Sequence, residues 1–428
     1  MIGRRVRGAG AVAAIGMIAA VACGGGGQQG GGVTLTLWTY PQGDDEASLK
    51  AYIERFQAEN AGISLRYTVY PEEDYQTKIN TALQAGRPPD IAIIESRDWM
   101  KAGRVVELTD YYEEWGVSVD EFNPGGLARA AVEADPSQGV YGVGDGLFGN
   151  VLAYNKALFD AASVDYPPAD RSLTYEEYAD LCRQVGQPDA NPANAIFGCS
   201  MPDFSFGFYP IYGDDGHTAV GFMDSDELAE AFEIGAALIN EGYAPSSSLL
   251  ETQGESDLFA SGQIAITWTD FSQVPTYQAN DIDFGLAPFF VVEGQDDFVD
   301  TWTSAWGTFV QSAHQADALK FLEFLATDGQ RIRVETSADP PLSTKVAEEI
   351  DYGNDDPIKQ QYLEVLQNAR PLVFVPPGEE EWDPGEVLRL LTVEGQAEAD
   401  PILDEMAQRA QERLEEVWAE WEELGAGD

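Results

Sequence analysis

"VTLTLWTYPQGDDEASLKAYIERFQAENAGISLRYTVYPEEDYQTKINTALQAGRPPDIAII" occupies residues 33–94. Its first eight residues, VTLTLWTY, read as a strand, and DEASLKAYIERFQAENAG follows as a helix that gathers Leu49, Tyr52, Ile53 and Phe56 on one face. ISLRYTVY alternates as a second strand, EEDYQTKINTALQAG makes a second helix, and PPDIAII is a short apolar run suited to a buried parallel strand. Strand, helix, strand, helix, strand is a βαβαβ unit, which predicts an α/β sheet with parallel strands. Ligands of such sheets collect at the carboxyl ends of the strands. Those ends, WTYPQGDDE and IIESRDW, are both polar and aromatic.

Upstream, MIGRRVRGAG carries Arg4, Arg5 and Arg7, and AVAAIGMIAAVA runs uncharged to Ala22. That is the layout of an export signal. The apolar run falls short of the roughly 20 residues of a transmembrane helix. It ends in small residues, so 1–22 is expected to be a signal peptide and the protein to be exported. The segment from Ala20 to Cys23 resembles the lipobox of bacterial lipoproteins, with Ala20 where that pattern usually has Leu. The resemblance implies lipid attachment at Cys23, with 23–32, rich in Gly and Gln, as a flexible tether. The alternative is an ordinary secreted protein.

With 428 residues the chain exceeds one usual core, and two lobes are expected. Its 74 acidic residues against 24 basic ones, seven of them Lys, give a formal net charge of −50. Such an excess repels nucleic acid and anionic membrane surfaces, so neither is expected as a partner and any membrane contact would be through the lipid alone. An acidic, lysine-poor exterior suits concentrated salt, where screening over about 3 Å at 1 M makes self-repulsion tolerable. The 44% hydrophobic content, with 9 Trp, 18 Tyr and 20 Phe, excludes general disorder.

After Cys23 only Cys182 and Cys199 remain, one on a predicted helix and one at the end of a short strand. In an exported chain one disulfide between them is expected, the alternative being two buried thiols. His217 and His314 stand alone, so neither a metal site nor a cofactor is predicted. Downstream, AWGTFVQS leads into a helix with Ala318, Phe321, Leu322 and Leu325 on its apolar side. The last helix carries a core stripe of Ile402, Met406, Leu414, Val417, Trp418 and Trp421.

Taken in order, LTLWTY…DDE, GRPPDIAII, LAYNKALF, LFASGQIAITW, AWGTFVQS followed by ALKFLEFLATDGQ, and PPLSTKV resemble the extracellular solute-binding proteins of ABC-type importers, in the sugar-binding, maltose-binding-protein-like branch. The resemblance covers essentially the whole mature chain. It implies a type II periplasmic-binding-protein-like α/β fold, each lobe a mixed sheet flanked by helices, with a ligand cleft between the lobes. The partners it implies are a carbohydrate and the permease subunits of an ABC transporter, with the binder itself a monomer. Transferred here, lobe 1 would comprise 33–148 plus 269–326 and lobe 2 149–268 plus 327–428. The crossings would fall near 142–155, near 265–270 and between 326 and 342.

Sugars present apolar C–H faces and rings of hydroxyls, so their sites combine aromatic platforms with carboxylates and amides. Trp38, Tyr40, Trp268, Trp302 and Trp306 stand beside predicted strand ends or crossings and are candidate platforms, with aromatic plugs over the core edge as the alternative. Asp44, Glu95, Asp145 and Asp270 are candidate hydroxyl acceptors, with Ser96 as a smaller partner and Phe148 and Tyr212 as further contacts. A secreted glycoside hydrolase would need two carboxylates about 5 to 9.5 Å apart across a cleft. An adhesion lipoprotein would tend to show repeats or a β-rich pattern. The tether and the order of the segments favour capture without catalysis.

Overall fold

The computed structural model describes residues 32–40, 45–200, 210–291, 301–337, 339–366, 373–378 and 381–425. The expected signal 1–22, Cys23, all of the tether but Gly32, and Asp44 lie outside the described residues.

The opening unit folds as its periodicity requires: β1 (Val33–Thr39), α1 (Asp45–Glu59), β2 (Ile63–Val69), α2 (Glu72–Gln84) and β3 (Ile91–Ile93). β1 pairs in parallel with both β2 and β3. Alternation along β1 puts Leu35 and Leu37 inside, and α1 covers them with Leu49, Tyr52, Ile53 and Phe56. Buried Asp90, just before β3, fixes the register. Its carboxylate accepts from Thr36 N at 2.8 Å, Thr36 Oγ1 at 2.9 Å and Ser312 Oγ at 2.7 Å.

Seven short strands follow: β4 (Val143–Gly144), β5 (Phe148–Gly149), β6 (Val151–Asn155), β7 (Ile266–Thr269), β8 (Phe284–Ala287), β9 (Thr301–Trp302) and β10 (Ala305–Gly307). β10 inserts antiparallel between β3 and β4 to give the order β2-β1-β3-β10-β4. A second sheet, β7-β6-β8, is antiparallel throughout, and β5 and β9 form a two-stranded ribbon between the sheets in sequence. β6 is buried on both faces. Val151 and Ala153 join the core that continues from the first sheet, whereas Leu152 and Tyr154 join a second core with the helices Tyr175–Val185, Asp226–Glu241 and Asp400–Gly425.

The chain first passes from one sheet to the other between β4 and β6. The later passages differ from expectation. β8 falls within 269–326, assigned by sequence to lobe 1, yet it pairs with β6 in the second sheet. The chain therefore returns to the first sheet between 287 and 305, after β8, and not at 265–270. The helix Gln315–Phe324 runs through a π turn into Gln330–Thr336, where Thr336 Oγ1 lies 2.7 Å from Ser48 Oγ of α1. Leu342 O accepts from Asn123 N at 3.0 Å, and Lys345 pairs with Glu121 at 3.1 Å, so residues 327–345 stay with the first sheet. The third passage comes before the helix Pro357–Leu366, which packs on β8.

Cys182 and Cys199 form a disulfide with Cα atoms 5.1 Å apart. Cys182 sits on a helix started by a capping box of Thr174 and Glu177. The other arm passes so near that a Cβ on Gly198 would lie 1.8 Å from Cys182 O, which only glycine permits. Replacing both cysteines by serine opens a loop of 17 residues and is expected to cost about 3 kcal/mol, measured by urea denaturation against the oxidised parent.

Candidate functional site

Three strand ends and the ribbon meet at one place. Tyr40 follows β1, Glu95 follows β3, and Asp270 follows β7, while Phe148 of β5 faces Trp302 of β9 in register. All five border a cleft of about 980 Å³. The Phe148 and Trp302 rings lie 6.2 Å apart at 28°, both half-buried, and offer roughly parallel apolar surfaces.

Each polar group around them is held in place. The Tyr40 hydroxyl donates to Glu95, and the Tyr40 ring packs edge-on against Tyr75 at 5.0 Å. Tyr75 in turn donates to Ile93 O at 3.0 Å, so the ends of β1 and β3 are fastened together. The Glu95 carboxylate opens onto the cleft but is crowded by its walls. That loss of solvent pushes its pKa above the ordinary 4.5, against the Tyr40 hydrogen bond and Arg129, with Glu72 adding to the rise. Desolvation likewise raises Asp270, although Ser272 N donates to it at 2.9 Å.

Beneath the ribbon lies an ion cluster. Arg333 Nη2 donates to Asp339 Oδ2 at 2.6 Å, and Arg333 Nη1 is 3.8 Å from Asp145 Oδ2. The guanidinium carbon stands 5.0 Å from the centre of the Phe148 ring, a cation–π distance. Trp306 Nε1 donates to Asp145 at 3.3 Å. The three charged side chains are 1%, 8% and 4% exposed for Arg333, Asp339 and Asp145. Burial raises the Asp145 carboxyl, while Arg333 and Trp306 pull it back.

Of the sequence candidates, Tyr40, Glu95, Phe148, Asp270 and Trp302 reach the cleft. Ser96 is next to it as the residue preceding the helix Arg97–Lys101. Asp145 is instead an internal counter-ion, and Trp306 is buried in the first core as its donor. Trp268 packs on the second core with Nε1 donating to Glu255 at 3.2 Å, and Tyr212 packs on the same core. Trp38 stacks edge-on with Tyr70 at 4.9 Å. Sequence reading missed Arg97, Arg129, Arg333, Asp339 and Lys359, which also border the cleft. The available signal was the scarcity of bases, since Arg97 lies inside the strand-end segment IIESRDW.

A family model described as bacterial extracellular solute-binding protein matches residues 40–332. A binding protein of Brucella abortus is 23% identical over 368 residues, 83% of this chain and 87% of that protein. An ABC substrate-binding protein from Listeria monocytogenes, solved in complex with cycloalternan, has a TM-score of 0.71 at 20% identity and covers 89% of this chain and 98% of its own. A sugar-binding protein from Xanthomonas citri has a TM-score of 0.72 at 18% identity over 91% and 99% of the two chains.

Two outcomes test this geometry. Arg333→Met leaves Asp145 and Asp339 buried without their cation and is expected to cost about 3–5 kcal/mol, read from urea unfolding. Glu95 has a folded pKa raised above its unfolded value, so its contribution to stability is full below about 4.5 and is lost as pH rises through the folded value. Glu95→Gln should therefore remove part of the fall in unfolding free energy on raising pH from that point, measured by denaturant titrations across the acid range.

Proposed function

The chain belongs to the bacterial extracellular solute-binding proteins, and from that premise we propose that it captures a carbohydrate between its two lobes and delivers it to the permease of an ABC-type importer. The observation that carries the sugar is the Phe148–Trp302 ribbon, whose rings suit the C–H face of a pyranose. Around it Glu95, Asp270 and Ser272 supply hydrogen-bonding groups from both sheets. The cycloalternan complex of the Listeria protein supports the same ligand class on the same fold.

Binding would favour a closed state through contacts made by both lobes at once. The bodies that move are the first sheet with its helices and the β7-β6-β8 sheet with its helices, turning about the crossings. We read the protein as a monomeric binder that releases its ligand unchanged. Export through residues 1–22, acylation of Cys23 and a tether along 23–32 would hold it at the membrane. Among the described residues no helix is long and apolar enough to cross one. The acid-rich exterior fits a setting of concentrated salt.

Calorimetric titration with a panel of oligosaccharides, followed by chromatography of the recovered sugar, tests the reading. Recovery of intact ligand is expected, and hydrolysis would overturn it. Trp302→Ala should weaken binding about tenfold or more, whereas Trp268→Ala, away from the cleft, should leave the affinity of the folded protein unchanged.

A further inference from the structure

The distribution of positive charge is informative because bases are so few. Arg55, Arg171, Arg183, Arg331, Arg389, Arg409 and Arg413 each have a carboxylate within salt-bridge distance. Among the described residues Arg66, Arg87, Arg97, Arg104 and Arg129 have no such partner; the first, second and fourth are exposed and away from the cleft lining, whereas Arg97 and Arg129 border it. In a chain with 74 acids, pairing them would have been easy.

Arg97 is the more demanding of the two. It is half-buried at the start of the helix Arg97–Lys101, and its guanidinium carbon stands 5.2 Å from the Phe374 ring centre. Of its five N–H donors only Nη2 meets a protein acceptor among the described residues, Ala128 O at 3.3 Å. Arg129 follows Ala128 directly, so the backbone that receives Arg97 also brings a second cation beside it. Loss of solvent, with the Arg129 charge second, pulls the Arg97 pKa down to about 10. A half-buried cation is thus held beside a second, exposed one, an arrangement that favours the arrival of an anion.

The neighbouring carboxylates form no salt bridge with the pair, although the Arg129 charge acts on Glu95 through space and Glu72 also borders the cleft. Glu95 lies beyond 4.0 Å from Arg129 and accepts from Tyr40, and Glu335 is paired with Arg55. On another wall Lys359 adds a further cation. An arginine fork presents parallel N–H donors matched to a carboxylate or phosphate.

We propose that the ligand of this cleft is an anionic sugar, bearing a carboxylate or a phosphate that Arg97 and Arg129 bind while Phe148 and Trp302 hold its ring. The inference rests on the carbohydrate reading above and narrows it. The protein's overall negative charge repels anions at long range, so recognition depends on this local pair once the ligand is within about 10 Å, the screening length at 0.1 M salt.

The experiment is calorimetric titration of the full chain with neutral tri- and tetrasaccharides, with oligogalacturonates, oligoguluronates and oligomannuronates, and with phosphorylated disaccharides. An anionic probe is expected to bind, and comparison of the uronate and phosphate arms identifies which group is read. Arg97→Gln and Arg129→Gln should each weaken that probe about 10- to 100-fold and erase the preference for it over its neutral counterpart. Arg129 is exposed, so its variant should melt as the parent does and report binding alone. Binding confined to neutral sugars, or an anionic affinity unmoved in both variants, overturns the inference and leaves the carbohydrate reading standing. Binding of no probe in any arm overturns both.

Discussion

The cleft of this structure depends on one buried cation. Arg333 is 1% exposed and lies where separate passages of the chain converge: Asp145 comes from the first crossing, Asp339 from the segment after its own helix, and Phe148 from the ribbon. A guanidinium removed from water is tolerated only with its counter-ions in place. The backbone follows the same convergence, since Leu147 N donates to Pro340 O at 3.0 Å and Gln330 Nε2 donates to Gly144 O at 2.7 Å. Once Arg333 is fixed, Phe148 is fixed above it, and Trp302 follows because it sits opposite Phe148 in the ribbon. The aromatic floor of the cleft is therefore set by electrostatics beneath it.

Most of the remaining ion pairs do little of this kind. Pairs such as Lys50–Glu46 and Arg389–Glu386 are about half exposed, and pairs in that setting contribute roughly 0–1 kcal/mol. The lobes are instead held by their apolar cores, in which Tyr52, Phe56, Ile79, Phe232 and Leu403 are almost wholly enclosed. A formal charge of −50 can then be carried on the exterior without being part of what specifies the fold.

The difference between local and long-range information explains what the sequence allowed to be read. Periodicity is local, so the βαβαβ unit, the buried face of α1 and the apolar side of the helix at 315–324 were legible. The residues of β8, FGLA, are buried at all four positions, and a uniformly buried run does not say which sheet it joins. Pairing with β6 was decided by geometry made 130 residues earlier in the chain. The tryptophans show the same limit. Trp302 and Trp306 share a parity, yet the break at Thr303 and Ser304 separates β9 from β10, leaving one ring in the cleft and sending the other to Asp145. Asp145 looked like an exposed acceptor because its partner, Arg333, is remote in sequence.

The cleft wall that carries Arg97 shows how far such remote dependence reaches. The C-terminal helix belongs to the second core through Leu403, Met406, Leu414 and Val417. Its end nevertheless crosses to the first lobe, where Lys101 Nζ stands 5.0 Å from the Trp421 ring and Trp421 Nε1 donates to Glu133 at 3.3 Å. Lys101 lies on the same short helix as Arg97, one turn further on. Trp421 also packs at 5.2 Å against Phe374, the ring beneath the Arg97 guanidinium. Arg97 is thus supported on one side by first-lobe backbone at Ala128 and on the other by an aromatic relay from a second-lobe helix. Its orientation depends on the relative placement of the two lobes, which couples the charged wall of the cleft to the same geometry that closure would change.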